Sequence, residues 1–353
     1  MKWSSWFLAA IGCLCFSGCQ RSEVPTYESS NAVKGLPEKV QKQAHEELVK
    51  YFGTPLRPKQ IGDVTTDAEH LAYGAEVYRL RCAACHGVTG DGNGPAASTM
   101  HPRPRDYRLG IFKFTSTANG QKPLREDLLR TVRRGARGTS MPAFSLLPEK
   151  DLQAVVDYVL VLTHRGELEL LLAEEGDSEG EIDPANTKSN VQSILRQWEA
   201  AKQHVIYPKT AEPPYTWESI QLGREAFVST SGDCYKCHDK DGSARVTESV
   251  GKDPWGQPAR AADITSGMFH GGATSEDIYR RIYAGVTPMP AFALKYADQP
   301  ETIWHLVHFV QYTSGARRRE TMAQQASIHK RAVPEAATSG GLSPATSTTA
   351  GGN

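Results

Sequence analysis

Two pentads in this chain carry the residue types for covalent and coordinate bonding in one place: Cys82-Ala83-Ala84-Cys85-His86 and Cys234-Tyr235-Lys236-Cys237-His238. Two thiols followed at once by an imidazole form the attachment signature of c-type haem. The spacing suits that chemistry, because the thiols add to the two vinyl groups on one edge of a porphyrin and the next residue brings an imidazole under the iron. Two other chemistries could use the same cysteines: four thiolates around zinc, or two disulfides in an oxidising compartment. Neither employs the histidines, and zinc would have to draw its ligands from two well separated segments.

An iron held by histidine on one face has a sixth position to fill. Electron transfer favours closing it, usually with Met, whereas peroxide or O₂ chemistry needs it open. Met141 lies 55 residues after His86 and Met289 lies 51 after His238, each within a repeated Met-Pro-Ala-Phe. The proline cannot continue a helix and holds the loop extended. A lone methionine is ordinary core filler, but two at matched positions behind two pentads make Met141 and Met289 the candidate sixth ligands. Met100, His101, Met268 and His270 are rival donors without a matched counterpart in the other unit.

The elements that must position these residues repeat in the same order. The first unit runs Gly74-x3-Tyr78, the pentad at Cys82, Asp127-Leu128-Leu129-Arg130, Gly135, Met141, then Leu152, Val155, Val156, Tyr158 and Val159. The second runs Gly223-x3-Phe227, the pentad at Cys234, Asp277-Ile278-Tyr279-Arg280, Gly285, Met289, then Ile303, Leu306, Val307, Phe309 and Val310. The last pieces show the i, i+3, i+4, i+7 spacing of an amphipathic helix, and clusters such as Gly90-Asp91-Gly92-Asn93-Gly94-Pro95 signal loops. The fold class expected is mainly α: two tandem domains of short helices and long loops, wrapped around something that fills their centres.

Both units resemble class I c-type cytochrome domains, over roughly 68–163 and 216–314, and together they resemble a dihaem cytochrome c. The resemblance implies two covalently attached haem c groups, with iron bound by His86 and Met141 in one domain and by His238 and Met289 in the other. It also implies that Gly74 with Tyr158, and Gly223 with Phe309, mark close crossings of first and last helices. The Gly94-Pro95 loop resembles the one whose proline carbonyl takes the proximal histidine's second N–H; the second unit has no Gly-Pro, which leaves the partner of His238 open. Arg103, Arg105 and Arg260 are candidates for pairing haem propionates through the guanidinium fork, against the alternative of ordinary surface arginines. Arg130, Arg133, Arg134 and Arg137 could form a basic rim that steers an acidic redox partner. The function expected is one-electron transfer, as a carrier or a relay subunit of a respiratory chain. A dihaem peroxidase and a haem-bearing docking subunit of a larger complex are the alternatives.

The N-terminus reads Met1-Lys2, an apolar run from Trp6 to Phe16, then Ser17-Gly18-Cys19. That is the layout of a secretory signal peptide, with Cys19 placed as the lipidated cysteine of a bacterial lipoprotein, so the expected location is exported and membrane-anchored with domains in the periplasm. The expected organisation is a signal peptide over 1–19, a tether with one helix over 20–66, a first domain over 67–165 and an acidic, partly helical linker over 166–212. A second domain over 213–316 and a disordered low-complexity tail over 317–353 complete it. A formal net charge of zero gives no footprint for nucleic acid, so the partners expected are a redox donor, a redox acceptor and, through the lipid, a membrane.

Overall fold

The computed structural model describes residues 26–62, 67–245 and 249–317. The apolar run, Cys19 and the tail beyond Arg317 therefore lie outside the described residues. Within them the fold is mainly α, with two short antiparallel hairpins. Among the described residues no helix is long and apolar enough to cross a membrane.

Each unit is built on one close crossing. In the first, α3 (Ala68–Arg81) starts at Asp67, whose carboxylate accepts the Glu69 amide, as N-capping residues do. It buries Leu71, Gly74, Val77 and Tyr78 against Val155, Tyr158, Val159 and Leu162 of α6 (Glu149–Glu179). A Cβ on Gly74 would stand 2.1 Å from the Ala154 carbonyl oxygen and 3.2 Å from Tyr158 Cβ, so glycine alone permits the approach. Tyr78 then meets Tyr158 edge to face at 5.4 Å. The second unit repeats this with α8 (Trp217–Val228) and α11 (Glu301–Thr313). There a Cβ on Gly223 would lie 1.9 Å from the His305 carbonyl oxygen, and Phe227 packs on Phe309 at 5.0 Å. Two further matched helices, α5 (Arg125–Arg134) and α10 (Ser275–Ala284), lead into the methionine loops. The single-turn helices α4 (Ala83–His86) and α9 (Tyr235–His238) carry the pentads. The hairpin β3 (Gly251–Lys252) with β4 (Pro258–Ala259) projects from the second unit.

The expected boundary at 165/166 falls inside α6, which continues without a break to Glu179. Its second half buries Leu168, Leu172 and Ala173 in the first unit's core, together with α1 (Asn31–Lys34), α2 (Glu38–Phe52) and α7 (Pro184–Ala200). Residues 38–52 form the one helix expected within 20–66, and Val40, Ala44, Leu48 and Phe52 pack it into the first unit's core. Residues 166–200 are not a linker. Two carboxylates of the acidic run are buried and paired: Glu169 with Arg165 at 2.9 Å and with the Ser30 amide at 2.8 Å, and Glu167 with Lys122 and with Trp198 Nε1. The hairpin β1 (Gly53–Thr54) with β2 (Arg57–Pro58) follows α2 directly.

The two units are joined by specific contacts. Residues 116–118 pair with 204–206 through Ile206 N to Ser116 O at 2.8 Å and Ala118 N to His204 O at 3.1 Å. Arg281 of α10 donates to the carbonyls of Lys113, at 2.8 Å, and Thr115.

Candidate haem sites

The C-terminus of α3 delivers Cys82, and the single turn of α4 follows. His86 N donates to Cys82 O at 2.9 Å and Cys85 N to Cys82 O at 3.1 Å. Positions i, i+3 and i+4 share a helix face, so the turn puts both sulfurs and the imidazole on one side. The second pentad makes the same turn, with His238 N to Cys234 O at 2.9 Å and Cys237 N to Cys234 O at 3.2 Å. No disulfide joins Cys82, Cys85, Cys234 or Cys237 among the described residues. Burial pushes the Cys82 thiol up to about 12 and the Cys234 thiol up to about 11. A thioether sulfur is neutral and is compatible with the same low-polarity setting. Among the described residues no group of three or more His, Cys, Asp or Glu side chains could hold a metal ion.

Both histidines have a backbone carbonyl at Nδ1. His86 Nδ1 lies 3.3 Å from Arg105 O, and His238 Nδ1 lies 2.9 Å from Ala262 O. A carbonyl only accepts, so each ring carries its proton on Nδ1 and turns an Nε2 lone pair outward as a ligand. Burial holds both imidazoles below the usual histidine range, which favours the neutral, coordinating form. Tyr107 stacks on His86 at 4.7 Å with a 23° tilt and fixes the ring plane.

These acceptors correct the expectation for Pro95. Its loop instead closes over α4, with Gly94 N on Cys85 O at 3.2 Å and Ala96 N on Ala84 O at 3.0 Å, and Pro95 is exposed. The second unit needs no Gly-Pro because the acceptor comes from another loop, and that loop is duplicated. In Arg105-Asp106-x3-Gly110 and Ala262-Asp263-x3-Gly267 each aspartate caps a short 3₁₀ turn and each glycine ends it. Tyr107 N bonds Gly90 O at 2.7 Å, and Ile264 N bonds Gly242 O at 2.8 Å. The shared Asp-x3-Gly was the available signal in the sequence.

The methionine loops are also built alike. Gly135 ends α5 at φ +67° and Gly285 ends α10 at φ +73°, conformations that suit glycine. A Cβ there would lie 2.6 Å from Pro142 C in the first unit, and 2.6 Å from Met289 O and from Pro290 C in the second. The Met-Pro segment thus runs against the end of the helix, tied by Ala136 N to Met141 O (3.2 Å) and Phe144 N to Val132 O (3.2 Å). Its counterparts are Val286 N to Met289 O (3.0 Å) and Phe292 N to Ile282 O (3.1 Å). The second loop closes over only two intervening residues, the tighter turn that its shorter sequence predicts. Both methionines are partly buried.

The candidate propionate arginines have these protein surroundings. Arg103 bonds Asn93 Oδ1 at 3.0 Å, Arg105 reaches Asp253 of the second unit at 2.9 Å, and Arg260 is exposed. Of the rim candidates, Arg130 pairs with Asp127 at 2.6 Å, Arg133 with Glu149 at 2.7 Å and Arg134 with Asp277 across the unit boundary at 3.3 Å. His270 hydrogen-bonds the Arg137 carbonyl, and Met268 Sδ stands beside Gly138. These two rival donors therefore pack on the first unit's methionine loop.

Residues 69–159 match the family described as cytochrome C oxidase, cbb3-type, subunit III. The first unit is therefore similar in sequence to a c-type cytochrome domain. Among solved structures, the chain is similar to one from the Kuenenia stuttgartiensis reducing HAO-like protein complex Kustc0457/Kustc0458, at 27% identity and a TM-score of 0.53. That match covers 72% of this chain and 99% of the other. No curated protein matches the chain. That likeness supports covalent haem c and one-electron transfer with redox proteins as partners.

Proposed function

We propose that the protein is a dihaem electron relay in which each unit holds one haem c with histidine and methionine as axial ligands. The observation that carries this reading is the full duplication of the site: pentad turn, Nδ1 carbonyl acceptor, helix-ending glycine and Met-Pro loop recur at matched positions. A structural match over 72% of the chain extends beyond either unit alone, which supports treating both as cytochrome domains. In the first unit Cys82 and Cys85 would carry the thioethers, with His86 and Met141 at the iron. In the second, Cys234, Cys237, His238 and Met289 would do the same.

Haem c iron supplies a single electron that it accepts and releases. The chain's own residues hold the axial donors with little freedom to move. His86 and His238 are oriented through Nδ1, the methionine loops are braced by two backbone bonds each, and the half-buried cysteines would carry the thioether bonds at one haem edge. The similar structure is that of a protein complex, which favours a relay subunit over a freely diffusing carrier. We place the protein outside the cytoplasmic membrane, exported by its N-terminal segment and tethered through lipid on Cys19. The test is a spectroelectrochemical titration of the purified full-length protein. Two haems per chain, both six-coordinate, with Met141→Ala and Met289→Ala each changing one of them, is the expected result. Five-coordinate native iron with rapid turnover of hydrogen peroxide would favour the peroxidase reading instead, and a single haem per chain would end the dihaem one.

A further inference from the structure

We propose that Asp253 and Trp255 of the second unit are positioning residues for His86 of the first, because they clamp the Arg105–Asp106 segment whose carbonyl receives the His86 Nδ1–H hydrogen bond. The inference rests on the reading that His86 is an iron ligand.

The contacts form an unbroken chain from one unit to the other. Arg105 O faces His86 Nδ1 at 3.3 Å. The Arg105 guanidinium is bonded to Asp253 Oδ2 at 2.9 Å and lies over the Trp255 ring, 4.0 Å from its centroid. Trp255 Nε1 donates to Asp106 O at 3.2 Å, so the second unit also grips the next carbonyl along the segment. The clamp is itself rigid: Asp253 Oδ1 accepts the amides of Trp255 and Gln257 at 3.0 Å each, in the turn between β3 and β4. A charge-assisted pair with a stacked guanidinium is among the stronger local restraints available to a half-buried loop.

The duplicate site provides the internal comparison. Ala262 stands where Arg105 does and gives the same carbonyl to His238 at 2.9 Å, but its methyl group offers nothing to clamp. The second unit thus holds the first unit's histidine acceptor, and the first does not return the contact at that position. An acceptor at Nδ1 makes the imidazole a better donor through Nε2 and favours ferric iron. Loosening the clamp should therefore favour the reduced state of the first haem, and anything that separates the units should act in the same direction.

The test uses the full-length, haem-loaded protein with Trp255→Phe, which keeps a ring under Arg105 and leaves charge unchanged, and Asp253→Asn as a second variant. Two quantities are read: the reduced-to-oxidised ratio of each haem at fixed ambient potential, and the NMR resonance of the His86 Nδ1 proton in the reduced state. A net hydrogen bond of ordinary strength corresponds to about a three- to tenfold change in an equilibrium constant. The expected result for Trp255→Phe is a rise of that order in the first haem's ratio, no change in the second, and a His86 proton shifted toward a weaker hydrogen bond. Equal shifts of both haems, or an unchanged first-haem ratio with an unchanged His86 resonance in both variants, would overturn the proposal. Mass spectrometry of the wild-type Cys82–His86 peptide keeps the underlying reading separate: absence of thioether-bound haem there would defeat that reading and the clamp with it.

Discussion

Gly135→Ala tests the methionine loop at its most constrained point. Gly135 holds φ +67° and ψ −175°, a region that only glycine enters freely, and forcing another residue into it costs about 1–3 kcal/mol. The new Cβ would also stand 2.6 Å from Pro142 C and 2.7 Å from Ala143 N. Those are backbone atoms, which cannot swing aside as a side-chain tip can. Restoring ordinary van der Waals separation moves the Met141–Pro142 segment by roughly 1 Å, while Ala136 N and Val132 O still tie its ends. A ligand misplaced by that distance no longer bonds iron well. The variant should keep haem on Cys82 and Cys85, lose the methionine-to-iron charge-transfer band of the first haem only, and lose about 1–3 kcal/mol of stability in denaturant titration. Gly285→Ala should do the same to the second haem, because Met289 O and Pro290 C lie within 2.6 Å of its added Cβ. Gly120→Ala is the control: its φ is also positive, at +86°, but nothing lies within 4 Å of the added atom. It should lose stability without losing a ligand. If Gly135→Ala retained the first haem's methionine band at wild-type stability, the assignment of that loop to the iron would be refuted.

Three further outcomes follow from burial and packing. Gly74→Ala and Gly223→Ala push a methyl group to 2.1 Å and 1.9 Å from facing carbonyl oxygens. Each should destabilise its own unit by about 1–3 kcal/mol or more, measured by denaturation followed at each haem. Glu169→Leu strands the buried Arg165 guanidinium, which is 3% exposed, and should cost about 3–5 kcal/mol; Arg165→Met with Glu169→Leu should recover much of the loss, which a urea series on both variants would show. His164, buried against Trp198 at 4.7 Å and bonded at Nδ1 to Gln60, has its pKa lowered from 6.5 to about 3, chiefly by desolvation and then by Lys122. Between those values the unfolded chain binds the proton and the folded chain does not, so stability is present above pH 6.5 and is lost as pH falls toward 3. The loss should reach about 4 kcal/mol, and His164→Asn should flatten the stability curve over that window.

Local chemistry at the site was legible in the sequence wherever spacing determined it. The pentads specify a turn, and the turn occurs; the cytochrome resemblance implied a helix crossing at Gly-x3-aromatic, and Gly74 and Gly223 sit on facing carbonyls. The Nδ1 acceptors were not legible from the Gly94-Pro95 resemblance, because the acceptor is chosen by which loop lies beside the ring in space. Arg105 is 19 residues from His86 and Ala262 is 24 from His238, unequal separations that hide the match until Asp106 and Asp263 are aligned. The protein partners of the arginines were hidden for a related reason. A guanidinium takes whichever carboxylate the fold brings to it, and for Arg105 and Arg134 those carboxylates, Asp253 and Asp277, belong to the other unit.

The acidic run after Gly166 shows a different limit. Composition marks it as a linker, since carboxylates are rarely buried without partners, and that inference holds only while partners are absent. Here Arg165 lies one turn before Glu169, and Lys122 and Trp198 converge on Glu167, so α6 can continue through the run as part of the core. Once those carboxylates are neutralised, Leu168, Leu172 and Ala173 form an ordinary apolar stripe for α2 and α7 to cover. The outcome changes how the two sites are connected. A solvated linker would have let the units tumble independently and made any electron exchange between them a matter of collision. With α6 and α7 packed into the first unit, only the short stretch from 201 to 216 leads to α8, and part of it is already paired with 116–118. Arg281 on the Lys113 and Thr115 carbonyls and Arg105 on Asp253 hold the remaining boundary. On the proposed dihaem reading, two centres held in one orientation would exchange electrons at a rate set by distance and potential rather than by diffusion of the domains.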